Sequence, residues 1–156
     1  MNLVIKKYKI INFSEKYFSE VLSNLIRFQK KAKMPDYERG EEITLREEIE
    51  NATYTFLTLD TERNKIQWFG CFEYELGKCS CSLMFNNIDY EFRSSVKQCE
   101  QIMNIVRKLT NTEYISSDLR RNRMLSYKKY LNRYYNVKFI EDEKTNENIR
   151  FYKNIT

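Results

Sequence analysis

The chain contains no histidine. That absence removes the Ser-His-Asp and Cys-His nucleophile pairs and the commonest metal ligand in one stroke. Only three glycines and one proline occur in 156 residues. A Walker A loop or a dinucleotide-binding fingerprint needs several glycines in a short run, so both are excluded. The same scarcity argues against flexible linkers. With 42% hydrophobic and 15% aromatic residues, it also argues against a disordered chain. No stretch approaches the roughly 18 apolar residues of a membrane span. The opening Met1-Asn2-Leu3-Val4-Ile5-Lys6-Lys7 lacks the apolar run of a signal peptide, so a soluble, cytoplasmic protein is expected.

What is present fits one ordinary domain over residues 1–156. Asn, Ile, Lys and Tyr are abundant. AT-rich genomes produce that bias, so part of the lysine count carries no functional meaning. Net charge is +5, and basic residues mostly alternate with acidic ones. The exception is Arg120-Arg121-Asn122-Arg123, running on to Lys128-Lys129. These five cations suit a nucleic-acid phosphate or another partner; a solvated helix face is the bland alternative. Four cysteines occur at 71, 79, 81 and 99. Cys79 and Cys81 alternate within a strand pattern, share a face and cannot readily bridge each other. Free buried thiols and no metal site are expected. Trp68, between Gln67 and Phe69, reads as core.

Periodicity predicts a strand over 3–11, then a helix capped by Asn12 or Ser14. That helix carries Tyr17, Phe18, Val21, Leu22, Leu25, Phe28 and Ala32 at helical spacing. A polar loop over 35–43 precedes a short helix over 44–50. Strands over 54–60, 66–76 and 79–85, joined by tight links at 61–65 and 77–78, imply an antiparallel meander. A helix over 95–109 follows, with Val96, Cys99, Ile102, Met103, Val106 and Leu109 as its apolar stripe. Then come a strand over 113–117, a tyrosine-rich helix over 121–134, and closing strands over 137–141 and 148–152.

The order β-α-α-β-β-β-α-β-α-β-β resembles that of the GCN5-related N-acetyltransferases (GNAT). Two stretches carry the resemblance. The run Ile88-Asp89-Tyr90-Glu91-Phe92-Arg93-Ser94-Ser95-Val96-Lys97-Gln98 is similar to the family segment "V-D-P-x-Y-R-G-x-G-x-G" and keeps its aromatic-Arg pair as Phe92-Arg93. Asn122 to Tyr130 resembles the family's penultimate helix. With Tyr130 on the family tyrosine, Ser126 takes the alanine place and Arg123, rather than Asn122, the asparagine place. The resemblance implies an α/β (α+β) fold: a mixed, mostly antiparallel sheet of six to seven strands with helices on both faces.

It also implies a cofactor, acetyl-CoA, whose pyrophosphate lies at the loop opening the third helix. A helix start offers unpaired N–H groups and a positive dipole end to such an anion. Glycines let the backbone come close, because a Cβ would intrude. Here the corresponding residues are Arg93, Ser94, Ser95, Val96, Lys97 and Gln98, and none is glycine. Arg93, Ser94, Ser95 and Lys97 retain the means to attract an anion; the close backbone cradle is missing. Ser94 or Ser95 as a simple N-cap is the alternative. For catalysis the resemblance implies a strand carboxylate as base, which Glu73 or Glu75 would supply, and Tyr130 as proton donor to the leaving thiolate. Glu73 and Glu75 share one face with Cys71, opposite Phe72, Tyr74 and Leu76; a solvent-facing polar row is the simpler account of them.

The expectation is therefore a GNAT-shaped protein without a bound cofactor that binds a protein partner or assembly. Small GNAT-like proteins with eroded loops look similar in bacteriophages, as virion or accessory factors; a phage-encoded chain would be expected in host cytoplasm or virion. An active acetyltransferase using acetyl-CoA and a nucleic-acid-associated basic domain are the alternatives. No membrane partner is expected.

Overall fold

The computed structural model describes residues 8–34, 36, 39–120, 137–141 and 148–154. Strand β1 (Tyr8–Asn12) leads through one 3-10 turn (Glu15–Tyr17) into helix α1 (Phe18–Lys31). Helix α2 (Glu42–Asn51) and strands β2 (Tyr54–Asp60), β3 (Lys65–Glu75) and β4 (Lys78–Asn86) follow. Helix α3 (Phe92–Thr110) returns the chain to β5 (Tyr114–Arg120), and β6 (Val137–Glu141) and β7 (Asn148–Asn154) close the sheet.

The seven strands lie in the order β1-β2-β3-β4-β5-β7-β6. Every neighbouring pair is antiparallel except β4 with β5, which is parallel. The α3 crossover connects those two parallel strands, as a parallel pair requires.

Helices cover both faces. On one face Phe18, Val21 and Leu25 of α1 and Leu45 of α2 pack on Leu57, Ile66, Phe69, Cys71 and Phe85. On the other, Ile102, Met103 and Val106 of α3 pack on Phe56, Trp68, Phe72, Cys79, Cys81 and Ile115. Strand alternation divides the sheet residues between these layers. Two bulges reset it. Thr58 pairs with Trp68 while Leu59 pairs with Ile66, so Gln67 is the extra residue on β3. Cys71 pairs with Leu83 while Phe72 pairs with Cys81, so Ser82 is the extra residue on β4. The second bulge lets Cys79 and Cys81 share the α3 face while Leu83 and Phe85 face α1.

Some boundaries differ from the sequence reading. β3 stops at Glu75, and Leu76 sits in the hairpin turn at φ 52, 93% exposed, instead of completing a strand face. α3 starts at Phe92, three residues before the expected Ser95. β5 runs on to Arg120 because β7 pairs with it along its whole length. The expected first-strand residues before Tyr8 and the tyrosine-rich helix over 121–134 lie outside the described residues.

Candidate functional site

The entrance of α3 is built by three segments: the β4–α3 loop, the end of β2 and the bulge of β3. Glu91 is the N-cap, with extended backbone and no side-chain capping bond. Ser94 is turned inward on it: its N–H and its hydroxyl both donate to the Glu91 carbonyl, at 3.1 and 2.9 Å. Arg93 to Gln98 therefore form the first turns of a regular helix. From Ser95 onward the amides belong to the i→i−4 ladder.

The side chains of this run divide cleanly. Arg93 and Lys97 are exposed, and Ser94 is half-buried. Ser95, Val96 and Gln98 are buried against the sheet. Val96 continues the apolar stripe of α3, as its spacing predicts. Gln98 accepts a hydrogen bond from the Thr58 hydroxyl at the middle of β2. The Gln67 side chain, placed by its bulge, donates through Nε2 to Ser94 Oγ at 2.8 Å. Among the described residues Gln67 Oε1 and Ser95 Oγ are buried without a hydrogen-bond partner. The Gln67 group that meets the helix entrance is therefore its Nε2 donor.

The loop before the helix is held on both sides. The Asn87 N–H donates to the Gln67 carbonyl at 2.8 Å and its side chain to the Ile66 carbonyl at 3.0 Å. Asn87 Oδ1 in turn accepts from the Asp89 N–H at 3.0 Å. Arg27 of α1 pairs with the Asp89 carboxylate. Tyr90 is buried, and its hydroxyl donates to Asp60 Oδ2 at 2.7 Å. Burial pushes the Asp60 carboxyl up, but the Tyr90 hydroxyl, the Arg63 and Glu62 amides and the Arg63 charge together hold it below the usual carboxylate range. Burial, then the Asp60 partner, raises the Tyr90 hydroxyl well above its ordinary value. Asp60, Gln67, Asn87 and Tyr90 went unnoticed as site residues in the sequence. The sequence marked the loop only through the run Ile88 to Gln98, which contains Tyr90.

A second feature lies beside this entrance. β4 and β5 pair at three positions only, Cys79↔Ile115, Ser80↔Ser116 and Cys81↔Ser117. Beyond the Ser82 bulge, Leu83–Asn86 keep their β3 partners and Asp118–Arg120 keep β7. Among the described residues no strand pairs with the edges these two segments turn toward each other. The pairing of β4 with β5 therefore ends at Cys81↔Ser117.

Glu73 sits opposite Ser80, half-buried on the Cys71 face, and Glu75 sits exposed opposite Lys78 at the hairpin end. β3 meets the α3 entrance at Gln67, so Glu73 lies six residues, about 20 Å of strand, away. The structure does not gather these carboxylates with Arg93–Gln98. Arg120 is the last residue of β5, opposite Asn148. Arg121, Arg123, Lys128, Lys129 and Tyr130 lie outside the described residues. Cys71, Cys79 and Cys81 are buried free thiols and Cys99 is half-buried. Burial pushes the Cys71 thiol up to about 12, with Thr55 opposing and the Glu48 and Glu73 charges adding. Among the described residues no three His, Cys, Asp or Glu side chains are placed to hold a metal. None of the described helices is long and apolar enough to cross a membrane.

No protein-family model matches the sequence, and no curated protein matches it. The fold is matched closely by solved structures. A GNAT-family acetyltransferase from Staphylococcus aureus Mu50 aligns with TM-score 0.73 and 13% identity, over 96% of this chain and 100% of that one. The PaiA N-acetyltransferase of Thermoplasma acidophilum, solved with coenzyme A, gives 0.74 and 10%, over 95% and 99%. The ribosomal-protein-S18-alanine N-acetyltransferase of Escherichia coli gives 0.70 and 11%, over 96% and 95%. At such identities the likeness speaks for the fold alone. The chain has a GNAT-like fold, as the order of its elements implied.

Proposed function

We propose that this chain is a GNAT-fold binding or structural protein that has given up acetyl-CoA-dependent catalysis. The observation that carries the reading is the regular helix over Arg93–Gln98 behind a glutamate N-cap. A pyrophosphate needs free amides and a positive field at that point. Here the ladder takes up the amides from Ser95 onward, the Ser94 amide is turned onto Glu91, and the cap itself is a carboxylate. A binding scaffold loses nothing by these changes. Its partner is a protein or an assembly, with a bacteriophage virion or accessory role fitting the composition and the eroded cofactor loop.

Calorimetry with acetyl-CoA tests this. No heat at millimolar cofactor is expected, and micromolar binding would overturn the proposal. The short pairing of β4 with β5 favours a second reading, an active N-acetyltransferase, because beyond Cys81↔Ser117 the two strands are not paired with each other. In that reading acetyl-CoA binds there and at Arg93–Gln98. Glu73 or Glu75 takes the amine proton, and Tyr130 protonates the thiolate. Steady turnover of acetyl-CoA with any amine acceptor, lost in Glu73→Gln or Glu75→Gln, would establish it.

A further inference from the structure

We infer that the acidic end of the sheet, built by the second half of α2 and the β3–β4 hairpin, docks a basic segment of a partner protein whose apolar side chains cover Leu76. The inference rests on the binding reading above and deepens it by naming the surface and the chemistry of the partner.

Leu76 and Gly77 form the two-residue turn between β3 and β4, at φ 52 and 76. Hairpin turns with both central residues at positive φ favour Asn-Gly. A bulky side chain in that conformation is an outlier with a cost of its own. Leu76 is also 93% exposed, so burial within the chain returns nothing for it. The hairpin thus holds a leucine where asparagine would suit both the backbone and the solvent. Two residues earlier, the Tyr74 ring is exposed as well.

Carboxylates gather beside this tip. Thr53, just after α2, donates its N–H to the Phe72 carbonyl at 2.8 Å, and its hydroxyl accepts the Tyr74 N–H at 3.0 Å. These bonds seat the end of α2 against the end of β3. The Glu48 and Glu73 charges both reach the Cys71 thiol, one from the helix and one from the strand. Glu47, Glu50 and Glu75 are exposed, and Glu48 and Glu73 are half-buried. Among the described residues none of the five forms an ion pair. Arg46, the single cation of α2, is taken by Glu15 and Glu42. Lys78 stands opposite Glu75 without pairing to it.

The chain as a whole carries +5, so this end runs against the overall sign. A basic partner relieves the repulsion among the carboxylates and meets a complementary field. An apolar side chain on the same partner takes Leu76 out of water. Nucleic acid, a polyanion, is disfavoured here by the sign of the surface.

The probe is a synthetic amphipathic peptide of lysine and leucine, about fourteen residues or four helical turns long. One control replaces leucine by serine, and a second replaces lysine by glutamate. In anisotropy titrations on the intact chain at low salt, the lysine-leucine peptide should bind about tenfold more tightly than either control, and added salt should weaken it. Leu76→Asn should weaken binding about tenfold, the loss of one buried leucine contact, yet raise the melting temperature because asparagine suits the turn. Glu47→Gln combined with Glu50→Gln should weaken binding and flatten its salt dependence. The peptide should slow hydrogen exchange over 47–51 and 73–78. Equal binding of the serine control, indifference to Leu76→Asn, or protection elsewhere would overturn the inference. Self-association of the chain in sedimentation, abolished by Leu76→Asn, would also overturn it, because the occupant would then be a second copy. Acetyl-CoA is titrated into the same sample. If neither cofactor nor peptide binds, the docking surface is refuted and the binding-protein reading stands. If acetyl-CoA binds at micromolar concentration, the binding-protein reading itself fails and the inference falls with it.

Discussion

The Tyr90 hydroxyl donates to Asp60 Oδ2 at 2.7 Å and so ties the loop before α3 to the end of β2, thirty residues away in sequence. The same carboxylate accepts the Glu62 and Arg63 amides at 3.0 and 3.3 Å, closing the β2–β3 hairpin. One buried acid thus serves two turns. Tyr90→Phe should lower stability by about 1.5–3 kcal/mol, the range for a hydrogen bond to a charged group. Urea unfolding at neutral pH measures it; a change below a few tenths would show the bond to be idle.

This pair also sets a pH dependence. The folded Asp60 carboxyl lies below its ordinary value of 3.8. Its stabilisation is therefore present above the unfolded value and is lost as pH falls through the folded one. The raised Tyr90 hydroxyl acts in the opposite direction, contributing below its ordinary 10.0 and failing only in strong alkali. Unfolding free energy measured from pH 5 down to pH 2 should fall less steeply in Tyr90→Phe than in the parent. Parallel curves would refute the coupling.

Thr58 and Gln98 form a buried polar pair between β2 and α3. Thr58→Val leaves Gln98 Oε1 without its donor, and Gln98→Leu leaves the Thr58 hydroxyl without its acceptor. Each should lose about 1–3 kcal/mol, while the double variant should lose less than the sum. Additive losses in a double-mutant cycle would mean that the bond contributes nothing of its own.

Gly70 lies under the Trp68 ring, and a Cβ there would run into the indole. Trp68 is 4% exposed and packs against Phe72, so the ring has little room to yield. Gly70→Ala should destabilise by about 1–3 kcal/mol through overpacking. Thermal unfolding and the tryptophan emission maximum should both shift; an unchanged melting temperature would show that the ring moves freely.

Thiol chemistry reports on the core. Burial raises the Cys71, Cys79 and Cys81 thiols, and reaction requires the thiolate. With an aromatic disulfide reagent at pH 8, only half-buried Cys99 should react promptly in the folded chain, and all four in urea. Prompt labelling of Cys71 would contradict its burial.

The helix that opens the candidate site shows where local reading stops. Ser94 and Ser95 are favoured caps, so the sequence placed the start of α3 at Ser95. The folded chain begins that helix at Phe92 because Asn87 and Tyr90 are anchored to β3 and β2. Those anchors deliver Glu91 to the cap position. No window of neighbouring residues contains Asp60 or Gln67, so the anchoring could not be read locally. Val96, by contrast, was legible as a buried position from its spacing alone.

Among the described residues, the sequence by itself determined the elements and their order. Apolar period fixed α1, α3 and the meander, and that order implied the sheet. It also determined that no glycine lies between Arg93 and Gln98. Only the tertiary structure decided the bulges at Gln67 and Ser82, the three-position pairing of β4 with β5, and the inward turn of Ser94 and Gln98. These depend on which residue stands opposite which across the sheet. Register is a property of paired strands, and a single strand does not carry it.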